Sequence, residues 1–286
     1  MSSRPPQRPR PLTGRTLLRP FGIDLQIHPS WIISLVVLTY AGYREFGGGT
    51  IEHRSQATRL LLAVAFGVLI ATCIVIHELS HSLFARAYGL PVQRITLFAF
   101  GGVSQIQGEA PTPSAEFAIA VAGPLASVVL ATILGGVGRL LHPHFAEPNG
   151  FWGELGWINV LLAMFNLIPA FPMDGGRLLR SGLWVLGGRA RATRWAVLVG
   201  RSFAVLAMSG GGALLIVPLF QGSESGGSLS ALWIILIGLF IFNAAGAAGR
   251  LEGGERPNQH GDDQTDGPSI PLPGVQTTTR EDVYDR

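Results

Sequence analysis

His77-Glu78-Leu79-Ser80-His81 sets two imidazoles four residues apart with a carboxylate beside the first. At 3.6 residues per turn, positions four apart differ by about 40° around a helix. Both rings then point the same way and can hold one metal ion, and Glu78 is close enough to act on a water bound to it. Zinc is the natural occupant, because histidine nitrogens and a carboxylate suit it and a catalytic site keeps one position open for water. Patterns this short also arise by chance in soluble helices. Here the residues lie inside the apolar run 60–84, where a charged residue costs about 2.5–3.5 kcal/mol on insertion scales. His77, Glu78 and His81 all need partners within the protein.

A third ligand is expected at the same depth on another element, and Asp174 is the best candidate. It ends the run Asn166-Leu167-Ile168-Pro169-Ala170-Phe171-Pro172-Met173-Asp174-Gly175-Gly176. Pro169 and Pro172 each remove a backbone donor and disfavour helix in the residue before them. Broken backbone at membrane depth is tolerated only where it is buried in protein or lines a cavity. The alternative is a plain helix-ending turn with Asp174 as its cap.

The elements that must position these groups follow from composition. Of 286 residues, 48% are hydrophobic and only 14% charged, with a mean hydropathy of +0.37. Soluble domains carry roughly a quarter charged residues, so much of this surface must face lipid. Disorder, a disulfide scaffold and an ordinary water-soluble enzyme are excluded. The net charge of +3 comes from scattered arginines rather than an aromatic-laced basic face, so no nucleic-acid partner is expected. An all-α membrane protein is predicted, a polytopic bundle of about six transmembrane helices near 27–43, 60–84, 117–141, 152–168, 196–220 and 229–248. The fifth is interrupted by Ser209-Gly210-Gly211-Gly212, and 183–188 is too short to cross. Arg4, Arg8, Arg10, Arg15 and Arg19 precede the first span without an acidic residue among them, which puts both termini of a six-span chain in the cytoplasm. Residues 1–20 read as an arginine- and proline-rich cytoplasmic segment. Residues 250–286, with eight acids against four arginines, read as a disordered cytoplasmic tail. No cleavable signal peptide is expected.

The two motifs together resemble those of the site-2 protease family of zinc intramembrane metalloproteases. Phe21-Gly22-Ile23-Asp24-Leu25-Gln26-Ile27-His28-Pro29-Ser30-Trp31 resembles the start of its prokaryotic six-span branch, and Phe98-Ala99-Phe100-Gly101-Gly102-Val103 also matches it. The similarity covers about residues 21–249. Met173 stands where the family often has leucine, and there is no room for the CBS or PDZ domains that many relatives carry. The resemblance implies that one Zn2+ per chain is bound by His77, His81 and Asp174 and that Glu78 is the catalytic acid and base. It further implies a short re-entrant strand or hairpin at Gly101 and Gly102, to which substrate adds by backbone pairing; a simple turn is the alternative. Asn166 matches the family asparagine that holds the unwound substrate, the alternative being an amide bonded within its own helix. The implied substrate is a single-span membrane protein, such as an anti-sigma factor or membrane-tethered transcription factor, cut near the cytoplasmic leaflet.

Other polar residues carry weaker signals. His142-Pro143-His144 reads as solvated, and Cys73 as a small residue packed between helices. His28 is assigned no role, and Arg201 either snorkels to the cytoplasmic side or pairs with a carboxylate. Two rival functions are a metal-ion transporter, which would not need Glu78 beside an open site, and a proteolytically inactive homologue that only binds membrane proteins.

Overall fold

The computed structural model describes residues 15–45, 55–98, 101–141, 150–221 and 228–254. The expectations placed on residues 1–14, on Ala99 and Phe100, on His142 and His144, and on 255–286 lie outside these. In chain order the protein forms strands β1 (Arg15–Leu18) and β2 (Asp24–Ile27), helices α1 (Trp31–Glu45) and α2 (Gln56–Ala87), and strands β3 (Val92–Phe98) and β4 (Gly101–Ile106). Helices α3 (Pro113–Leu141), α4 (Phe151–Asn166), α5 (Asp174–Gly187), α6 (Arg189–Gln221) and α7 (Ser228–Gly254) follow.

Local chemistry sets the boundaries of the two helices nearest the site. Ser55 caps α2 by accepting the Thr58 N–H at 3.2 Å, a contact worth about 1 kcal/mol. Gly89, with φ of +79°, lets the chain reverse after α2 in a conformation that costs other residues more. Thr112 accepts the Ala115 N–H at 3.1 Å and Pro113 opens α3, where its missing donor would have no partner anyway.

Helices α2, α3, α6 and α7 contain stretches long and apolar enough to cross a membrane, and α1 is a shorter apolar helix. Large apolar side chains such as Val36, Leu61, Leu206 and Leu236 point outward, each more than half exposed. The chain is a multi-pass membrane protein. Four spans meet the length criterion among the described residues, where six were expected; α1 and α4 have only 15 and 16 residues. Five of the predicted spans coincide closely with α2, α3, α4, α6 and α7, whereas the first starts later, because Ile27 belongs to β2.

Two expectations are corrected. The fold is not all-α with one hairpin: β1, β2, β3 and β4 form a four-stranded sheet in that order, with β2 and β3 parallel and the outer pairs antiparallel. Ile23, Leu25, Ile95 and Leu97 bury one side of this sheet against Ala85 of α2 and Ile119 of α3. Second, Ser209–Gly212 does not interrupt α6. A Cβ on Gly211 would meet the Ala231 carbonyl oxygen at 2.9 Å, so this glycine serves close packing on α7. The segment 183–188, read as too short to cross, is mostly the end of α5, a helix of 14 residues whose buried face carries Asp174, Gly175, Gly176 and Ser181.

Candidate active site

Helix α2 carries His77 and His81 into the interior, where they are 2% and 4% exposed. Asp174 arrives from the far side, at the first turn of α5, after the broken segment that follows Asn166. The break is held open by its own packing: a Cβ on Gly175 would come within 2.2 Å of the Leu167 carbonyl oxygen, and one on Gly176 within 2.7 Å of Ala170. Both glycines are thereby required for the start of α5 to lie against the loop that delivers Asp174.

Three atoms converge. His77 Nε2 and His81 Nε2 are 3.3 Å apart, and Asp174 Oδ2 lies 3.3 Å from the first and 3.1 Å from the second. The remaining ring nitrogens are engaged elsewhere. His81 Nδ1 is 2.7 Å from the Ile119 carbonyl oxygen, which can only accept, so Nδ1 carries the hydrogen and Nε2 presents a lone pair. His77 Nδ1 is 2.9 Å from Ser127 Oγ, which permits the same arrangement. Two lone pairs and a carboxylate oxygen therefore face one another out of water, an arrangement that a cation relieves. Tetrahedral zinc with ligands at about 2.0–2.1 Å has ligand-to-ligand edges of about 3.3–3.4 Å, and the observed triangle has that size.

Helix α3 supplies the floor. A Cβ on Gly123 would sit 2.2 Å from His81 Nε2 and 2.6 Å from His77 Nε2, so its absence leaves the space an ion would fill. Together with the carbonyl of Ile119 and the hydroxyl of Ser127, α3 orients both imidazoles, an outer shell of the kind that fixes ring tautomer in metal sites. The residues present fit zinc in donor type, spacing and support.

Glu78 points from the same helix toward β4. Ser104 Oγ donates to Glu78 Oε2 at 2.8 Å and accepts from Ser82 Oγ at 3.2 Å. Gly102 lies flat against it: a Cβ there would be 2.6 Å from Glu78 Cγ. Glu78, His81 and Asp174 line a cavity of about 450 Å³ closed on other sides by β4, by Asn166 and by Phe240 of α7.

Of the residues singled out by sequence, His77, His81, Asp174 and Glu78 are thus brought together. Gly102 and Asn166 line the cavity, and Gly101 opens β4 with φ of +130°. Asn166 Nδ2 also donates to Leu162 O at 2.9 Å within its own helix. Cys73 is buried but outside the metal-ligand group. His28 Nδ1 accepts the Ser30 N–H at the start of α1. Arg201 lies with its guanidinium 5.2 Å from the Phe242 ring centre and against Gly246, and it forms no ion pair with a described carboxylate.

Sequence reasoning missed Gly123, Ser127, Ser104, Arg177 and the buried Glu116–Arg180 ion pair between α3 and α5. Gly123-Pro124 and Ser127 within an apolar run were visible signals of a helix doing more than crossing a membrane.

A sequence profile of peptidase family M50 matches residues 65–147 and 141–209. The chain belongs to peptidase family M50, the site-2 protease family. The M50 motifs quoted above are the ones that build this site. Among its relatives, sll0528 of Synechocystis sp. is 39% identical over 239 residues, covering 80% of this chain and 58% of that protein. Zinc metalloprotease MJ0392 of Methanocaldococcus jannaschii is 33% identical over 238 residues, covering 82% of this chain and 60% of its own length. The chain therefore spans somewhat more than half the length of these relatives. The solved structure of a site-2 protease from M. jannaschii is similar with a TM-score of 0.52 and 29% identity, across 83% of this chain and 96% of that one.

Proposed function

We propose that this M50 member is a zinc-dependent intramembrane endopeptidase that cuts a transmembrane helix of a membrane-anchored regulatory protein near the cytoplasmic leaflet. The observation that carries the reading is the three-atom cradle of His77, His81 and Asp174 opening into a cavity shared with Glu78 and an edge strand. Zinc bound there would polarise the scissile carbonyl and lower the pKa of water toward about 7. Glu78 takes the proton of the attacking water and returns it to the leaving amine nitrogen, which completes hydrolysis of the peptide bond. Ser104, itself held by Ser82, keeps the accepting carboxylate oxygen turned toward the cavity.

A helix hides its carbonyls, so the substrate must unwind to be cut. Among the described residues β4 pairs only with β3, which leaves its second edge for an extended substrate strand that adds by main-chain hydrogen bonds. Asn166 borders the same space and would hold that strand from the opposite side.

A six-crossing topology with cytoplasmic termini is supported by the sheet. Strands β2 and β3 are neighbours, and the chain between them consists chiefly of α1 and the long α2. If α2 crosses the membrane, α1 must cross as well, although its 15 residues rise only about 22 Å; local thinning of the bilayer accommodates a short span. The same holds for α4 after α3, since Asp174 returns to the level of His77. The arginine-rich residues ahead of β1 favour the cytoplasmic side for the sheet.

The test is cleavage of a single-span substrate by the detergent-purified protein, with and without chelator. Wild type is expected to cleave, to stop on zinc removal and to recover on zinc return, and Glu78→Gln is expected to retain zinc without cleaving. A wild-type protein that holds zinc yet cleaves no unwinding-prone helix would overturn the reading in favour of binding or transport.

A further inference from the structure

The catalytic cavity contains a cation that the chemistry above does not use. Arg177 lies three residues beyond Asp174 on α5, hence on a neighbouring helical face, and lines the same cavity as Glu78 and His81. It makes no hydrogen bond or ion pair with any described residue. Its neighbour Arg180 behaves differently: Nε donates to Glu116 Oε1 at 2.8 Å, and a second contact from Nη2 reaches the same oxygen. Glu116 is fully buried, and that pair ties α5 to α3.

Arg177 sits within electrostatic reach of Glu116, Asp174 and Glu78, with Arg180 the opposing cation. None of these carboxylates takes up its donors. A guanidinium has five N–H groups in a planar fork and no acceptor, and keeping it unpaired in a membrane protein is costly unless a ligand answers it. The group that must occupy this cavity is a peptide, whose carbonyl oxygen gains negative charge as water adds to the carbon.

Resting on the protease reading above, we propose that Arg177 is a further catalytic residue that donates hydrogen bonds to the scissile carbonyl oxygen as its charge develops. The α5 backbone fixes Arg177 and Asp174 on one rigid element, so the donor is placed before the substrate arrives. Aimed donors in a water-poor site are worth most where charge appears during the reaction rather than in the bound substrate. The signature is accordingly a fall in kcat rather than in affinity.

The experiment compares wild type, Arg177→Met and Arg177→Lys on one cleavable single-span substrate, with zinc content measured for each. In parallel, binding of the uncut substrate is measured for Glu78→Gln with and without Arg177→Met. The expected result is a kcat lowered about 10²–10³-fold in Arg177→Met, with KM, zinc content and substrate binding within about threefold of the parent. Arg177→Lys is expected to retain more activity than Arg177→Met, and millimolar guanidinium to restore part of the lost rate to the latter only. Loss of zinc would overturn the proposal by making Arg177 a support for Asp174. A raised KM with unchanged kcat would overturn it by making Arg177 a ground-state binding group, and unchanged kinetics would remove it from the chemistry altogether. If Arg177→Met does not fold, Arg177→Lys with wild-type kcat overturns the proposal and a lowered kcat at unchanged zinc content supports it. Failure of wild type to cleave any substrate would instead sink the protease reading itself.

Discussion

Gly123→Ala puts a methyl group where the metal belongs. The added Cβ would stand 2.2 Å from His81 Nε2 and 2.6 Å from His77 Nε2, while zinc itself sits at about 2.0–2.1 Å from such nitrogens. The carbon therefore competes for the same volume. Restoring ordinary contact of about 3.5 Å requires α3 or the imidazoles to move by more than 1 Å. The rings cannot yield alone, because Ile119 and Ser127, both on α3, hold their Nδ1 atoms. A shift of that size at a reacting centre costs on the order of 100-fold in rate, and here it also removes the pocket for the ion. Zinc per chain, measured by mass spectrometry after equilibration at fixed free zinc, is expected to fall sharply, and cleavage with it. Gly135→Ala and Gly136→Ala on the same helix are the controls, since a Cβ there meets nothing within 4 Å; each is expected to keep zinc and activity while favouring the helix by up to about 1 kcal/mol. Full zinc occupancy and wild-type cleavage in Gly123→Ala would refute the assignment of α3 as the floor of the site.

Gly102→Ala is expected to lower kcat at least about tenfold at unchanged zinc content, because its Cβ would press within 2.6 Å of Glu78 Cγ and a donor or base moved this way loses on the order of 1–2 kcal/mol; steady-state cleavage with metal analysis checks both halves. Ser127→Ala, which frees His77 Nδ1, is expected to weaken zinc binding about 10–100-fold, as read by competition with a chelator of known affinity. Arg180→Met leaves the fully buried Glu116 carboxylate without its partner and is expected to cost about 3–5 kcal/mol of stability, visible as a lowered unfolding midpoint in detergent.

The chemistry was legible because its residue types are expensive where they stand. Two histidines and a glutamate in an apolar run, and an aspartate after two prolines, demand partners in the interior, and the structure brings His77, His81 and Asp174 to one another and Ser104 to Glu78. Crossing helices were equally legible from apolar length. The sheet was not. Strands β1 and β2 have four residues each, and β2 pairs with a strand some seventy positions later, a distance over which no local pattern reports. Helix α5 escaped because it is amphipathic and short, with Leu186 outward and Asp174 inward. Gly123 acts through the side chain it lacks, so its role at the two histidines appears only when α2 is in place beside it.

The parallel pairing of β2 with β3 also separates the order of synthesis from the order of assembly. Residues 15–18 and 24–27 leave the ribosome first and can pair with each other, yet the second edge of β2 has no partner until 92–98 follow. In the interval comes α2, a helix long and apolar enough to cross the bilayer, so it is inserted while the second edge of β2 still stands bare. The edge β4, and with it the wall against Glu78, can settle only after that clasp closes. Maturation of the cavity is thus tied to completed insertion of α2, and a nascent chain halted before residue 106 has the Glu78 carboxylate but no wall to turn it toward a substrate.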